Sequence, residues 1–204
     1  MNWLALRDMV TSFASRGDLT QALQASLLPL AEERIYSGMM LGGKRIDGLR
    51  LQSMLASVNP FTAGPLPARS LAIERLSYLS GARWVPLEYR TSDQLSGAEQ
   101  QAGSAASYTV RGGSVVVGPD VSTALWLLHY VRPAAPALDA DENVVMAASP
   151  RVYLYAMLAE VSNWLRSAEM LAQYQGMLVD AMQAAQGADE DARRGSGPLR
   201  IVSR

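Results

Sequence analysis

The sequence contains no cysteine, which excludes disulfide bonds, thiolate zinc sites and a cysteine nucleophile. It has a single histidine, His129, so one chain cannot supply a multi-histidine metal site. Its 18 basic and 19 acidic residues give a net charge of -1, which argues against a protein that coats nucleic acid through positive charge. No run approaches the roughly 18–20 apolar residues of a membrane span. The beginning, Met1-Asn2-Trp3, lacks the features of a secretory signal.

The composition is nevertheless that of a chain that folds. Of its 204 residues, 49% are hydrophobic and 18% are charged, which is enough apolar side chain to bury a sizeable core. The length fits one large domain or a domain with an appendage. Lys44 is the only lysine, so all other positive side chains are arginine, a residue that suits bidentate pairs at interfaces. We expect a soluble, intracellular protein.

The first 36 residues predict two helices. Residues 3–14 place apolar side chains at helical spacing, and residues 19–36 continue the pattern. Between them, Gly17 is the predicted C-terminal stop of the first helix and Asp18 the predicted N-cap of the second. Pro29 lies inside the second helix, so we expect a kink or a break just before it.

The middle of the chain predicts β-hairpins. Four segments pair as 70–80 with 83–90 and as 107–111 with 114–117. Gly81-Ala82 and Gly112-Gly113 stand between the members of each pair, and two glycines are a strong signal for a two-residue turn. A further strand is predicted over 124–131. We expect the second hairpin to pack against Trp126 and Leu128.

The last third of the sequence predicts long helices and then a tail. Ser149-Pro150 places a capping residue directly before proline at the first helical position. The helical pattern runs from there to about Gly187, either as one bent helix or as two, with the break at 163–167 or at Gly176. Residues 187–204 are acidic, then basic, then Gly-Ser-Gly-Pro, which predicts a flexible tail.

Together these elements predict an α+β fold: a mainly α-helical bundle with a small antiparallel β-rich middle insertion and a flexible C-terminal tail. We expect a single domain over residues 1–186, followed by the tail 187–204. The domain would contain helices within 3–36 and 150–186 and a β-rich middle over 66–133. No internal repeat of fixed period is present.

Few residues suggest chemistry. No local motif gives His129 a nucleophile or an orienting carboxylate, so we expect a surface or interface histidine rather than a catalytic one. Glu32, Glu33 and Asp47 have no spacing that specifies the acid/base pair of a glycosidase. Residues 38–45 fail as a phosphate loop, because arginine stands where Ser or Thr would hold magnesium and no strand precedes them. We therefore predict no enzyme activity, no metal and no cofactor.

The tail contains an apolar, β-prone segment, Leu199-Arg200-Ile201-Val202, and a further arginine at Arg204. A segment of this kind can add a strand to a partner or lie in a groove on its surface. Simple fraying of a terminus is the alternative interpretation.

Five short segments occur in a characteristic order. They are Ala31–Ile35, Leu71–Leu76, Tyr108–Pro119, Leu127–Pro133 and Ser149–Ala156. This series resembles the head-to-tail adaptor (head-completion) proteins of tailed bacteriophages, particularly those of the short-tailed type. The resemblance spans roughly residues 20–185, and it depends on the order and spacing of the segments rather than on one motif.

The resemblance implies a non-enzymatic structural protein of the virion, located at the head–tail interface and in the host cytoplasm during assembly. Copies are expected to form a twelve-membered ring that binds the portal protein, extends the DNA channel without sequence-specific DNA binding, and docks tail (nozzle or tube) proteins. No membrane is implied. The C-terminal segment of such proteins reaches the portal, which assigns portal binding to Leu199, Arg200, Ile201, Val202 and Arg204.

Two other classes of function stay open on the sequence. One is a tail-associated peptidoglycan hydrolase that acts through Glu32, Glu33 or Asp47, which a cell-wall digestion assay would detect. The other is a DNA-binding accessory protein that acts through its arginines, whose binding to duplex DNA would depend strongly on salt.

Overall fold

We analysed a computed structural model of the chain, which describes residues 1–98, 107–118 and 124–194. The helices are α1 (Trp3–Ala14), α2 (Gln21–Ser37), α3 (Ser92–Ala98), α4 (Val144–Ala148), α5 (Pro150–Trp164) and α6 (Ala168–Arg194). The strands are β1 (Met39–Leu41), β2 (Lys44–Ile46), β3 (Leu55–Phe61), β4 (Ser70–Ser80), β5 (Arg83–Pro86), β6 (Glu88–Tyr89), β7 (Ser107–Arg111), β8 (Ser114–Val117) and β9 (Leu125–Val131). A short 3-10 turn covers Gln52–Met54. No helix in the described residues is long and apolar enough to cross a membrane.

The predicted fold class is wrong in its proportions. Of the described residues, 47% are helical and 26% are in strands, with six α-helices and three sheets, so this is not a mainly helical bundle with a small β insertion. The chain divides into two compact units: unit 1 is Met1–Ser53 with Pro133–Arg204, and unit 2 is Met54–Arg132. Strand β3 was not predicted from the sequence. It contains Pro60, which is tolerated because β3 lies at the edge of its sheet.

Unit 1 is built around α5. Ten of the 15 residues of this helix are buried, and α1, α2, α4 and α6 all pack against it. A helix with so little exposed surface needs apolar residues on most of its circumference, which its sequence supplies. Ser149 is the N-cap and Pro150 opens the helix as predicted, although the Ser149 side chain makes no capping hydrogen bond.

The first two helices have the predicted positions but different ends. Ser15, in the left-handed conformation, caps the C-terminus of α1, and the Thr20 side chain accepts a hydrogen bond from Leu23 N at 3.2 Å at the start of α2. The predicted caps, Gly17 and Asp18, lie between them. The expected break at Pro29 is absent, since Pro29 lies on the exposed side of a continuous helix, where water can satisfy the carbonyl that loses its partner.

The long C-terminal helical region breaks at the first of the two predicted places. Helix α5 ends at Trp164 and α6 begins at Ala168, with Arg166 in the left-handed conformation between them. Gly176 and Gly187 are both inside α6, which continues to Arg194. Residues 187–194, predicted as the start of a flexible tail, are therefore helical; ion pairs between residues four apart, Arg193–Asp189 and Arg194–Glu190, support this end of the helix. Residues 195–204 lie outside the described residues.

Unit 2 contains two sheets. Strands β3, β9, β4 and β5 form an antiparallel sheet in that order, and β6, β7 and β8 form a second sheet in which β6 and β7 are parallel. Both predicted hairpins are confirmed, with turns at Gly81-Ala82 and Gly112-Gly113. Buried side chains from both sheets form one core: Phe61, Leu76, Leu87, Tyr108, Val115, Leu125 and Leu127.

The packing predicted for the second hairpin is wrong by one residue. Tyr108 and Val115 pack with Leu125 and Leu127, whereas Trp126 and Leu128 are only half-buried. Successive side chains of a strand point to opposite faces, so a one-residue error exchanges the two faces of β9. Trp126 instead packs edge-to-face against Trp84, with ring centroids 5.9 Å apart.

The turn at Gly112-Gly113 allows a direct test of this hairpin. Both glycines have positive φ, 54° and 76°, as a type I′ turn requires, and no atom lies within 4 Å of a Cβ built on either. Gly113→Val therefore adds backbone strain without a clash, and we expect it to lower the free energy of unfolding by about 1–2 kcal/mol in urea denaturation. Gly17→Val is the matched control, since Gly17 has equal space and no positive φ. Equal effects of the two substitutions would contradict the turn assignment.

Candidate interaction surface

A buried polar network joins α2, α5 and the beginning of α4. The Tyr153 hydroxyl donates a hydrogen bond to Glu32 Oε1 at 2.9 Å and accepts one from Asn143 Nδ2 at 2.7 Å. The Tyr36 hydroxyl oxygen lies 2.9 Å from the Tyr153 hydroxyl oxygen. Burial, together with the nearby Tyr36 and Glu32, raises the pKa of Tyr153 far above its ordinary value, so its hydroxyl keeps the proton that it donates.

Asn143 connects this network to a helix terminus. Its Oδ1 accepts hydrogen bonds from Val145 N at 3.1 Å and Met146 N at 3.0 Å, which caps α4. Its amide group donates to Tyr153 at the same time. The position of α4 is therefore tied to the interior of unit 1 through one side chain.

Two further ion pairs fix helices within unit 1. Arg34 on α2 pairs with Glu160 on α5, whose side chain is only 4% exposed. Arg7 on α1 pairs with Asp139 and lies 5.5 Å from the ring of Trp3. Truncating Arg34 would leave the buried Glu160 carboxylate poorly hydrated, and truncating Asp139 would do the same to Arg7. The first pair therefore positions α2 against α5, and the second positions α1 against the loop that precedes α4.

An open groove lies where α6 passes the beginning of α5. We call it the α6 groove, and its lining residues are Ala148, Ser149, Arg151, Tyr155, Met177, Asp180, Ala181, Ala184, Ala185 and Ala188. Its volume is about 460 Å³. A smaller cavity of about 280 Å³ continues it past Ala188 toward Leu51 and Ser53. The floor is thus made mainly of alanine methyl groups from α6, spaced three and four residues apart.

One carboxylate holds the far end of this groove together. Asp189 accepts hydrogen bonds from Gln52 N at 2.9 and 3.1 Å, and it pairs with Arg193 at 3.0 Å. The last turns of α6 are therefore attached to the segment that precedes β3. Asp180 and Arg151 also line the groove, and neither has an ion pair within 4.0 Å among the residues that the structure describes.

The three carboxylates considered for sugar cleavage do not form a site. Glu32 is buried in the Tyr153 network, whereas Glu33 is exposed on the same helix. The Asp47 side chain is 93% exposed and lies 3.6 Å from Arg45. The buried Glu32 and the exposed Glu33 and Asp47 do not face each other across a cleft that could hold a sugar. The positions of these carboxylates therefore do not support the hydrolase alternative.

Residues 38–45, the rejected phosphate loop, form a small hairpin. Strands β1 and β2 pair around Gly42-Gly43, both with positive φ, and Lys44 is exposed on β2. Within the ranges that the structure describes, no group of three or more histidine or acidic side chains could hold a metal ion.

His129 is placed differently from the prediction. It is 2% exposed, not on the surface, and its Nδ1 lies 2.6 Å from Ser70 Oγ. Its cross-strand neighbours are Ala56 on β3 and Ile73 on β4, which carry no charge. Burial lowers the pKa of His129, so the folded unit holds it neutral.

Large apolar side chains are also exposed outside the groove. The most exposed are Leu138, Met40, Tyr89, Phe13, Leu30 and Trp164, at 44–70%. Single exposed apolar residues are normal on the surface of a folded protein, and only a contiguous apolar patch indicates a binding site. The predicted portal-binding residues, Leu199, Arg200, Ile201, Val202 and Arg204, lie outside the described residues.

The sequence analysis missed the α6 groove and the Tyr153 network. The groove has a signal in the sequence, because alanines at 181, 184, 185 and 188 share one helix face and are too small to fill the space above them. The network has none, because Glu32 and Tyr36 are both more than 100 positions before Tyr153.

The chain matches the model of a known protein family. The family model described as SU10 adaptor protein matches residues 1–202, so it covers both units. No curated protein matches the chain. The match agrees with the resemblance found in the order of the sequence segments.

The Tyr153 network predicts a specific loss of stability. Tyr153→Phe removes the hydroxyl and leaves buried groups of Glu32 and Asn143 without this partner, so we expect unfolding to become easier by about 1–3 kcal/mol. Tyr155→Phe makes the same chemical change at a half-buried position outside the network and should have little effect. Urea denaturation of both variants measures the difference in the free energy of unfolding. Similar losses in the two variants would show that the hydrogen-bond network does not stabilise the fold.

The burial of His129 predicts a pH dependence with a defined sign. The unfolded chain binds a proton near the ordinary pKa of about 6.5, and the lowered pKa of His129 makes the folded chain resist it, so stability is lost as the pH falls below about 6.5. His129→Asn should flatten this part of the profile, measured as melting temperature against pH. Because the chain has one histidine, an unchanged slope in the variant would contradict the assignment.

Proposed function

The chain belongs to the SU10 adaptor protein family, and on that basis we propose that it joins the portal of a phage head to the tail as a ring of identical copies. Family membership makes it a structural adaptor component of the phage particle, associated with head and tail at their junction. The observation that carries the proposal is the match over residues 1–202. The twelve-membered ring, the extended DNA channel and the presence of the protein in the host cytoplasm during assembly are parts of the proposal.

A ring requires two different faces on each copy. In such heterologous contacts one flank of a subunit meets the opposite flank of the next, and the rotation closes. Nearly balanced charge, with 18 basic and 19 acidic residues, suits such contacts because opposite signs can face each other. The exposed apolar side chains of unit 1, among them Phe13 and Trp164, supply surface for them. We further propose that residues 1–186 act as one adaptor domain.

The portal contact is assigned to Leu199, Arg200, Ile201, Val202 and Arg204. Three of these side chains are apolar, and burying them in a groove on the portal would contribute favourable binding free energy. The two arginines would pair with acidic groups at its rim, which adds orientation more than affinity. The Gly195-Ser196-Gly197-Pro198 sequence suits a tether.

The ring itself is tested by particle mass and symmetry. The purified chain, measured by light scattering and electron microscopy with and without portal, should form a closed ring on the portal and stay largely monomeric alone. A tight dimer that ignores portal would overturn the proposal. Cell-wall digestion or salt-dependent binding to duplex DNA would instead support the hydrolase or the DNA-binding alternative.

Removal of residues 199–204 tests the assignment of the tail. The truncated chain should keep its circular dichroism spectrum and melting temperature, because the core residues of both units precede position 195, yet bind portal rings more weakly in a pull-down. A full-length variant with serine at 199, 201 and 202 separates the apolar from the charged contribution. If the truncated chain binds portal as well as the intact one, the tail assignment is wrong.

A further inference from the structure

The α6 groove lacks a cover in the described part of unit 1. Its floor consists of alanine methyl groups, and the side chains of Arg151 and Asp180 line it as well. Both of these residues are exposed, and neither has an ion pair within 4.0 Å among the described residues. A segment that complements this groove therefore combines an apolar side chain with one positive and one negative charge.

The hairpin formed by β1 and β2 carries this combination on its outer face. Met40 and Arg45 are cross-strand partners, so their side chains share one face, while Met39 on the other face is buried. Met40 is 63% exposed, and the side chains of Arg45 and Asp47, which lie 3.6 Å apart, are 75% and 93% exposed. An exposed ion pair of this kind contributes little stability, so both charges are available to a partner.

The hairpin and the groove also match in size. The groove extends along α6 from Met177 to Ala188, which is about 16 Å at a rise of 1.5 Å per residue. A strand of three residues, such as β1 or β2, is about 10 Å long. The volume of about 460 Å³ leaves room for the side chain of Met40, whose flexibility lets it adapt to an irregular space.

The hairpin of the same chain does not occupy the groove. None of residues 39–47 lines it, and the outer face of the hairpin stays exposed. A second copy of the chain presents an identical hairpin. In a heterologous contact the hairpin of one copy meets the groove of the next, and each copy keeps one hairpin and one groove for its two neighbours.

We infer that the β1–β2 hairpin of one copy docks in the α6 groove of the next copy. Met40 then covers the alanine floor. Arg45 pairs with Asp180, and Asp47 pairs with Arg151. The inference deepens the proposed function and rests on it, because it names the contact between copies of the proposed ring. A contact of this size is weak for two chains alone, whereas its repetition around a closed ring holds all copies together.

The absence of cysteine allows this contact to be trapped by one disulfide between two chains. Full-length Met40→Cys is mixed either with Ala184→Cys, on the groove floor, or with Gln183→Cys, which is exposed on α6 outside the groove. Under mild oxidation, the 40–184 bond should form about tenfold faster than the 40–183 bond, because docking raises the effective concentration of the two thiols. Both mixtures are measured as concentrated free chain and as portal-bound rings, and the rate of each cysteine with a small thiol reagent corrects for its own reactivity.

Charge reversal tests the ion pairs of the contact. Arg45→Asp in the hairpin chain, or Asp180→Arg in the groove chain, should slow formation of the 40–184 bond about three- to tenfold, because like charges then meet. The two reversals together should restore the rate. Asp191→Arg, exposed on α6 outside the groove, is the matched control and should not restore the rate lost in Arg45→Asp.

Each outcome of these mixtures decides. A preference for the 40–184 bond in either condition, restored only by the matched reversal, supports the inference. Equal rates at 183 and 184 in both conditions overturn it. Disulfides formed mainly between two Ala184→Cys chains would place groove against groove, which also overturns it. Restoration by Asp191→Arg would show only a general attraction between oppositely charged chains and would overturn it too.

A second measurement keeps the hairpin intact. The thiol of Ala184→Cys should react about twofold more slowly with a small reagent when enough unmodified chain is added to fill half of the grooves, while Gln183→Cys should not change. A Met40→Asp chain should give no such protection, because it would place a charge on the alanine floor. Protection that is equal for the two added chains, or absent for both, contradicts the inference.

The failure of this inference can be distinguished from the failure of the proposed function. Rings that form on portal without a preference for the 40–184 bond would overturn only the hairpin contact. A chain that shows this preference in concentrated solution, yet forms no ring on portal, would overturn only the proposed function.

Discussion

The burial of α5 on almost every side is the constraint on which the rest of unit 1 depends. A helix with little access to water must pair its polar side chains with groups on its neighbours, or lose stability. Tyr153 does so with Glu32 and Asn143, and Glu160 does so with Arg34. The Ser162 hydroxyl is satisfied within α5 itself, where it donates to Leu158 O at 2.8 Å. These pairs fix how α2 and α4 lie against α5. A rotation of α5 would separate the Tyr153 hydroxyl and the Glu160 carboxylate from their partners and leave both buried without them.

Features set by adjacent residues could be predicted from the sequence, and features set by distant ones could not. The turns at Gly81-Ala82 and Gly112-Gly113, the opening of α5 at Pro150 and the break before α6 all follow from local backbone preferences. Thr20 replaced Asp18 as a cap because several capping residues stand close together, and only packing selects one. The burial of His129 and the choice of which face of β9 packs on the core depend on how the strands pair. That pairing joins residues far apart in the chain, so neighbouring residues in the sequence do not reveal it.

The candidate surface divides in the same way. The alanine spacing on α6 is visible in the sequence, but alanines on one face also suit close helix packing. The groove emerges only once the beginning of α5 is known to lie beside residues 177–188 of α6. Glu32 and Glu33 are indistinguishable in the sequence, yet one is buried in a network and the other exposed. The family was predicted correctly because the order of the segments along the chain can be read from the sequence without knowing which residues are in contact.

The division of unit 1 by unit 2 has a consequence for the order of folding. Tyr36 and Tyr153 are 117 positions apart, and all of unit 2 is synthesised between them. At a synthesis rate of about 5–20 residues per second, α2 leaves the ribosome roughly 6–25 s before α5 is available to pack against it. Such long-range contacts also raise the contact order, which slows folding. Unit 2 can therefore complete its core first, while α1 and α2 wait with their apolar sides in water until α5 has been synthesised.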